Sequence, residues 1–394
     1  MAARLVEARL SDAERFDWLR LIRSENVGPR TFRALLDRCG GAAAALAALP
    51  ELARRGGASR PIRVAGVDEI ERELEAARKF GVRFVAYCDP DYPPPLRHID
   101  AAPPLLALRG REEALQQPAV AIVGSRNASA AGLAFADRLA RGLGHAGYVV
   151  VSGLARGIDQ RAHVAALATG TIAVLAGGHA KPYPAEAAPL LPRIAENGAI
   201  VSEAPLEWEA RARDFPRRNR LVSGLALGVI IVEAARSSGS LITARLAAEQ
   251  GREVLAVPGS PLDPRAEGTN DLLRDGATLC ARVEDALAAL EPLRARVSVP
   301  RLEEPRPDGS LWLDEPVDAG GPAPTGGDGV GETAVGARVA TLLGPAPVSI
   351  DELARAASAD VRLVRAALVE LELAGRIERS GGDRVALLTA QDSG

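Results

Sequence analysis

Ala119-Val120-Ala121-Ile122-Val123 runs into Gly124-Ser125-Arg126, and this stretch sets the reading of the fold. Five apolar residues in a row, with no polar alternation, mark a strand buried on both faces, as strands of a parallel sheet are. The same pattern recurs down the chain. Tyr148–Val151 ends in Ser152-Gly153, Thr171–Leu175 in Gly177-Gly178, Gly228–Val232 in Glu233-Ala234, and Glu253–Val257 in Pro258-Gly259. Between them lie helical patterns, such as Leu133–Gly144 with Leu133, Ala136, Leu139, Ala140 and Leu143 on one stripe. Apolar strands alternating with amphipathic helices predict an α/β fold, an extended Rossmann-like doubly wound parallel sheet. Ligands of such sheets bind beyond the carboxyl ends of the strands, where these small-residue turns gather.

Working outward, Arg83–Tyr87 predicts a further strand, and residues 69–80 a helix. Phe16–Arg23 and Arg30–Arg38 predict two short helices around Gly28-Pro29, the layout of a helix-hairpin-helix. Residues 296–332 alternate prolines, glycines and acids with little apolar content, and cannot bury enough to fold alone. Beyond them Ala334–Leu343, a capping box at Ser349–Glu352, Asp360–Ala374 and the pair Arg376–Arg379 and Arg384–Leu388 predict a winged helix. The expected domains are therefore 1–82 helical, 83–295 the sheet, 296–332 a linker and 333–394 the winged helix.

Composition narrows the function classes. The chain has 394 residues, 47% hydrophobic and 25% charged, with a net charge of −3. No apolar run approaches the roughly 20 residues that span a bilayer. Met1–Leu10 carries charges where a signal peptide has its apolar core. Cys39, Cys88 and Cys280 are too far apart for a metal-binding spacing and odd in number, which fits buried thiols in a reducing cytoplasm. Lys79 and Lys181, the two lysines, follow no phosphate-cradling glycine loop, so a P-loop ATPase is excluded. His98, His145, His163 and His179 show no paired metal spacing, no nucleophile elbow is present, and neither metal, cofactor nor catalysis is expected.

Three groups of residues stand out as binding candidates. Gly124, Ser125 and Arg126, with Gly153 closing the next strand, form turns whose following helix would offer free N–H groups to an anion. The dinucleotide fingerprint needs glycines where Arg126 and Ser129 stand, which disfavours NAD or FAD. Arg211–Arg220 packs five arginines against one aspartate, a local excess of four positive charges in a net acidic chain. Within it Arg213, Arg217, Arg218, Asn219 and Arg220 surround Phe215, and cations beside an aromatic are what single-stranded nucleic acid needs. The alternative for Phe215 is a place in the core. Ser238, Gly239, Ser240 and Thr243 open a helix after Glu233 and would donate hydrogen bonds to a phosphate. Asp159 reads as a helix cap, and a core or supporting role is expected of it and of His163.

Taken in order, Ala121-Ile-Val-Gly-Ser-Arg126, Val151-Ser-Gly-Leu-Ala155 with Gly157-Ile-Asp159, Tyr183-Pro184, Ser202-Glu203, Phe215-Pro-Arg-Arg-Asn-Arg220, Glu233-Ala with Ser238-Gly-Ser240, and Val257-Pro-Gly259 resemble the DNA-processing protein A (DprA/Smf) family. The resemblance covers about residues 16–290, and the winged helix is similar to that of some members. It implies a non-enzymatic protein of natural transformation. Such a protein binds and protects incoming single-stranded DNA, helps load the RecA recombinase, acts indirectly on single-strand-binding protein, and forms a homodimer through its sheet domain. By motif, Gly124, Ser125 and Arg126 would hold the DNA backbone, and Phe215–Arg220 would supply stacking and charge. Gly177-Gly178-His179-Ala180-Lys181 departs from the family's Gly-x-Gly-Leu-Asp wording, so no contact is assigned there.

The alternative is a nucleotide-binding phosphoribohydrolase resembling the LOG/lysine-decarboxylase-like enzymes, whose Pro-Gly-Gly-x-Gly-Thr turn is broken here between Pro258-Gly259 and Gly268-Thr269. A regulator acting through the winged helix is a third reading. Its third helix balances Arg362 and Arg365 against Asp360, Glu370 and Glu372, poor for phosphate contact, so the tail is read as docking protein.

Overall fold

The computed structural model describes residues 9–298, 329–380 and 383–388. The chain forms two compact units, one of Ser11–Ile70 with the residues from Arg301 onward, the other of Glu71–Pro300 with the residues before Ser11. Most of the expected linker at 296–332 lies outside the described residues.

The first unit starts with three helices whose ends are written in the sequence. A reciprocal capping box between Ser11 and Glu14 opens α1 (Asp12–Arg23). Gly28 and Pro29 start α2 (Pro29–Cys39), which ends at Gly40 with φ of 82°. α3 (Ala42–Arg55) packs on both, and Trp18 meets Phe32 edge-on with ring centres 5.0 Å apart.

α4 (Val67–Lys79) leads to the sheet unit. There the chain runs β1 (Val82–Ala86), α5 (Pro94–Arg97), β2 (Leu105–Gly110), β3 (Ala119–Gly124), α6 (Ala130–His145), β4 (Val149–Ser152), α7 (Ile158–Ala166), β5 (Thr171–Val174), α8 (Leu190–Asn197) and β6 (Ala199–Ser202). It continues through α9 (Asp214–Gly224), β7 (Gly228–Val232), α10 (Gly239–Glu249), β8 (Glu253–Ala256), α11 (Glu267–Arg274), β9 (Thr278–Leu279) and α12 (Val283–Ser298). The strands pair in the order β1-β2-β6-β5-β4-β3-β7-β8-β9. From β6 to β9 every pairing is parallel, while β1–β2 and β2–β6 are antiparallel. The antiparallel end was not anticipated from the sequence.

β3 shows why its residues are apolar throughout. Side chains alternate across a strand, and both faces are covered. Val120 and Ile122 pack under Ala136, Leu139 and Leu143 of α6, while Ala121 and Val123 pack under Leu221 and Val222 of α9 and Ala244 of α10. The chain proceeds from β3 through β4 and β5 to β6, then returns to place β7 on the other side of β3. That reversal opens a crevice at the carboxyl ends of β3 and β7.

The winged helix completes the first unit with α13 (Gly329–Leu342), β10 (Val348–Ser349), α14 (Ile350–Ala357), α15 (Val361–Leu373), β11 (Ile377–Ser380) and β12 (Arg384–Leu387). The capping box at Ser349 and Glu352 forms as read, and β10 adds a strand that the sequence hid. The expected turn at Gly381-Gly382 lies outside the described residues. α15 packs against α2 and α3 of the same unit. Asn26 Nδ2 donates to Leu373 O at 3.0 Å, and Arg38 pairs with Glu370 at 3.1 Å. Gly56 lies so close that a Cβ there would sit 1.9 Å from Glu370 O. The winged helix thus docks on protein, and the protein is this chain's own helical segment.

Candidate nucleic-acid interface

A cavity of about 550 Å³ occupies the crevice beyond β3, β4 and β7. Its walls contain Gly124, Ser125, Arg126, Gly153, Phe215, Arg218, Asn219, Ser238, Gly239, Ser240 and Thr243, so most of the residues singled out in the sequence converge on one site. Arg213, Arg217 and Arg220 do not line it. Arg213 and Arg217 are exposed next to Ala212 and Pro216, which do. Arg220 is paired with Glu203, which corrects its expected place at the site.

Glycine is required where the turns crowd together. A Cβ on Gly124 would lie 1.8 Å from Val232 O, and one on Gly153 would lie 2.5 Å from Arg218 Nη1. The mouth is aromatic and cationic. Phe215 is half-buried, outside the hydrophobic core, with the Arg126 guanidinium 5.5 Å from its ring centre. Tyr183, 52% exposed, meets Phe215 edge-on at 5.2 Å. Across the cavity α10 begins with Ser238 as its cap, Ser238 Oγ 2.7 Å from Ser240 Oγ, and nothing lies within 4 Å of the position a Gly239 Cβ would take. Asn219 Nδ2 bonds Gly239 O at 3.3 Å and ties α9 to that helix start.

Arg218 behaves differently from its neighbours. It is 6% exposed, and its Nη1 donates to Val174 O at 2.6 Å and to Gly153 O, fastening the ends of β4 and β5. Arg218 lines the cavity, but its Nη1 and its Nε, which reaches Asn219 Oδ1 at 3.2 Å, are engaged by the fold. Burial, reinforced by Arg126 and opposed by Asp159, lowers its pKa to about 10. Asp159 accepts from Gly153 N at 3.1 Å and Ala155 N at 3.2 Å, and burial, against the pull of Arg218, raises its pKa to about 6. His163 Nδ1 lies 2.7 Å from Thr171 Oγ1, which itself donates to Val150 O, so the imidazole is the donor of that pair. Burial and then Arg218 lower the His163 pKa to about 3. His179, buried against Ala107 O, is lowered to about 4, again by burial first.

These groups set a pH dependence. His163 and His179 are neutral when folded and take a proton on unfolding below about pH 6.5, so their stability contributions are lost as pH falls. Asp159 has the opposite sign, its contribution full below about pH 3.8 and lost as pH rises through about 6. Between about pH 6 and 4 the aspartate opposes the two histidines, and the pair outweighs it, so their combined contribution falls with pH. Urea unfolding of His163→Asn should show a shallower fall of stability with pH than wild type; an unchanged pH dependence contradicts the assignment.

Asn127, Tyr183 and Glu233 were not assigned to the site from the sequence, although Tyr183 and Glu233 stand in the motifs that carry the family resemblance. The turn Gly177–Lys181 is held against the segment 205–210, with Gly178 N on Trp208 O at 2.9 Å and Ala180 N on Leu206 O at 3.0 Å. The glycines of the hydrolase alternative are spent elsewhere. Gly268 N donates to Ala234 O at 2.7 Å, Asn270 brackets Gly259, and none of them lines the cavity.

Residues 83–291 match the sequence family described as DNA recombination-mediator protein A. The chain belongs to that family. Residues 12–76 match its DprA-like N-terminal HHH domain and residues 323–383 its DprA winged helix domain. The chain is 38% identical to the protein Smf of Escherichia coli over 302 residues, 76% of either chain. The X-ray structure of DNA processing protein A from Streptococcus pneumoniae is similar with a TM-score of 0.59 and 32% identity, over 71% of this chain and 98% of that one. That of Helicobacter pylori, described for its single-stranded DNA binding mode, has a TM-score of 0.50 and 30% identity over 54% and 96%. No helix among the described residues is long and apolar enough to cross a membrane.

Proposed function

We propose that this cavity holds single-stranded DNA, and that the chain serves the uptake of DNA in natural transformation. The observation that carries the reading is Phe215, half-exposed at the cavity mouth beneath Arg126 and across from the open start of α10. A base stacks on the ring, Arg126 neutralises backbone charge, and the N–H groups and hydroxyls of Ser238–Ser240 receive a phosphate. Two solved relatives support this reading: both are named DNA processing protein A, and one is described for its single-stranded DNA binding mode.

Binding rather than chemistry is the role of the site. Asp159, in the cavity wall, is committed to the amides of Gly153 and Ala155, and His163 is fully buried and does not line the cavity. Within this reading the protein protects incoming single strands in the cytoplasm, hands them to the RecA recombinase at the expense of single-strand-binding protein, and acts as a homodimer.

Arg126→Ala tests the site. Titrating a labelled single strand over a salt series should show weaker binding and a slope of log K against log salt flattened by about 0.7, the share of one phosphate contact. Unchanged affinity and slope in a variant with normal circular dichroism overturn the assignment.

A further inference from the structure

The helix start behind Gly124-Ser125-Arg126, expected from the sequence to take an anion, is already filled from within the chain. Glu233 follows β7 and reaches across to α6, where its Oε2 accepts the Ser129 N–H at 2.9 Å and its Oε1 the Ser129 hydroxyl. That hydroxyl in turn caps α6 by accepting Gly132 N–H at 2.9 Å. Gly132 makes the room, since a Cβ there would lie 2.6 Å from Glu233 Cδ and 2.7 Å from its Oε1. Glu233 itself has φ of 56°, a backbone conformation that side chains rarely adopt and that persists only where the surroundings impose it. A capping serine, a glycine and a strained backbone thus converge to seat one carboxylate. The cavity wall runs from Gly124 to Asn127 and stops before Ser129.

We infer that Glu233 is a specificity-determining residue, an internal anion that refuses the terminal phosphate of free nucleotides. Sheets of this layout place such a phosphate at the helix start that follows the strand beside the crossover, and there Glu233 sits. A terminal phosphate carries close to two negative charges near pH 7, whereas a phosphodiester within a strand carries one, so a fixed carboxylate repels the first more. The internal phosphate is left the start of α10, open beside Gly239. That this occupant is a strand rests on the reading under Proposed function; the refusal of nucleotides does not.

The test uses the full chain as wild type, Glu233→Gln and Glu233→Gly, with AMP, adenosine and a thymidine oligonucleotide lacking terminal phosphates as probes in calorimetric titrations. Glu233→Gln keeps the shape and one acceptor oxygen without the charge, and Glu233→Gly removes the side chain while relieving the backbone. AMP should bind Glu233→Gly at least tenfold tighter than wild type, with a smaller gain in Glu233→Gln. Adenosine should bind all three alike, and the oligonucleotide within about threefold. The inference is overturned if the variants, folded by circular dichroism, refuse AMP as wild type does, or if wild type takes AMP as well as they do. If Glu233→Gly fails to fold, Glu233→Gln decides alone. Failure of the oligonucleotide to bind wild type overturns the strand reading, and the AMP comparison still judges Glu233.

Discussion

Replacing Arg218 by alanine should destabilise the sheet unit by about 3–5 kcal/mol, the range for breaking one side of a buried charge arrangement. The loss has three parts. Gly153 O and Val174 O lose their donor, Asp159 loses the nearby cation that opposes its burial, and a space opens between α9 and the ends of β4 and β5. Arg218→Lys should recover only part of this, because an ammonium has one nitrogen to offer the two carbonyls and nothing in place of the Nε that reaches Asn219 Oδ1 at 3.2 Å. Thermal unfolding checks this, with an expected fall on the order of 10 °C given 2–4 °C per kcal/mol for a unit of this size. A variant that melts normally but binds DNA with a flattened salt slope would falsify the structural role and return Arg218 to the phosphate contacts.

Phe215→Ala should cost about 1–3 kcal/mol of single-strand affinity, nearly independent of salt, because stacking releases no counterions. Stability should change little, since the ring stands at the mouth against Arg126 and Tyr183 and outside the core. A core phenylalanine would instead lose about 3–5 kcal/mol of stability on truncation. Melting temperature and binding constant, measured on one preparation, separate the two outcomes. A large drop in melting temperature with binding intact refutes the stacking role.

The contrast between these arginine and phenylalanine positions marks how far the sequence could be read. The central strands were legible because burial on both faces leaves them almost wholly apolar, as Val120 to Val123 illustrate. β2 was not, because Leu105–Leu108 follows Pro103-Pro104 and resembles the end of a proline-rich connection. β9, of two residues, is shorter than any periodicity can register, and β6, of four, was passed over between α8 and the arginine-rich stretch. The turns and Phe215 were legible as types of residue at strand ends. Which arginine faces the cavity was not visible in a charge count, though a signal existed. Arg218 stands three, four and seven residues before Leu221, Val222 and Leu225, on the buried stripe of α9. Glu233 was seen only as the residue ending a strand, because its partner Ser129 lies 104 residues away in sequence.

The domain boundaries were drawn from composition, and composition says nothing of which pieces meet. Asn26, Arg38 and Gly56 join residues of α15 that follow them by more than 300 positions, so the helical segment and the winged helix belong to one unit. No local pattern foretells such a pairing. A glycine at the end of a helix reads as a cap, and at Gly56 it is also the contact surface for Glu370.

The most direct test of the account is a salt-series titration of the full chain with a labelled single strand and with the duplex of the same sequence. The cavity accepts one backbone and presents one ring, so the single strand should bind about tenfold or more tightly, a difference of about 1.4 kcal/mol. Its log K should fall linearly with log salt. Equal affinity for the duplex, or binding of the single strand that ignores salt, would contradict it.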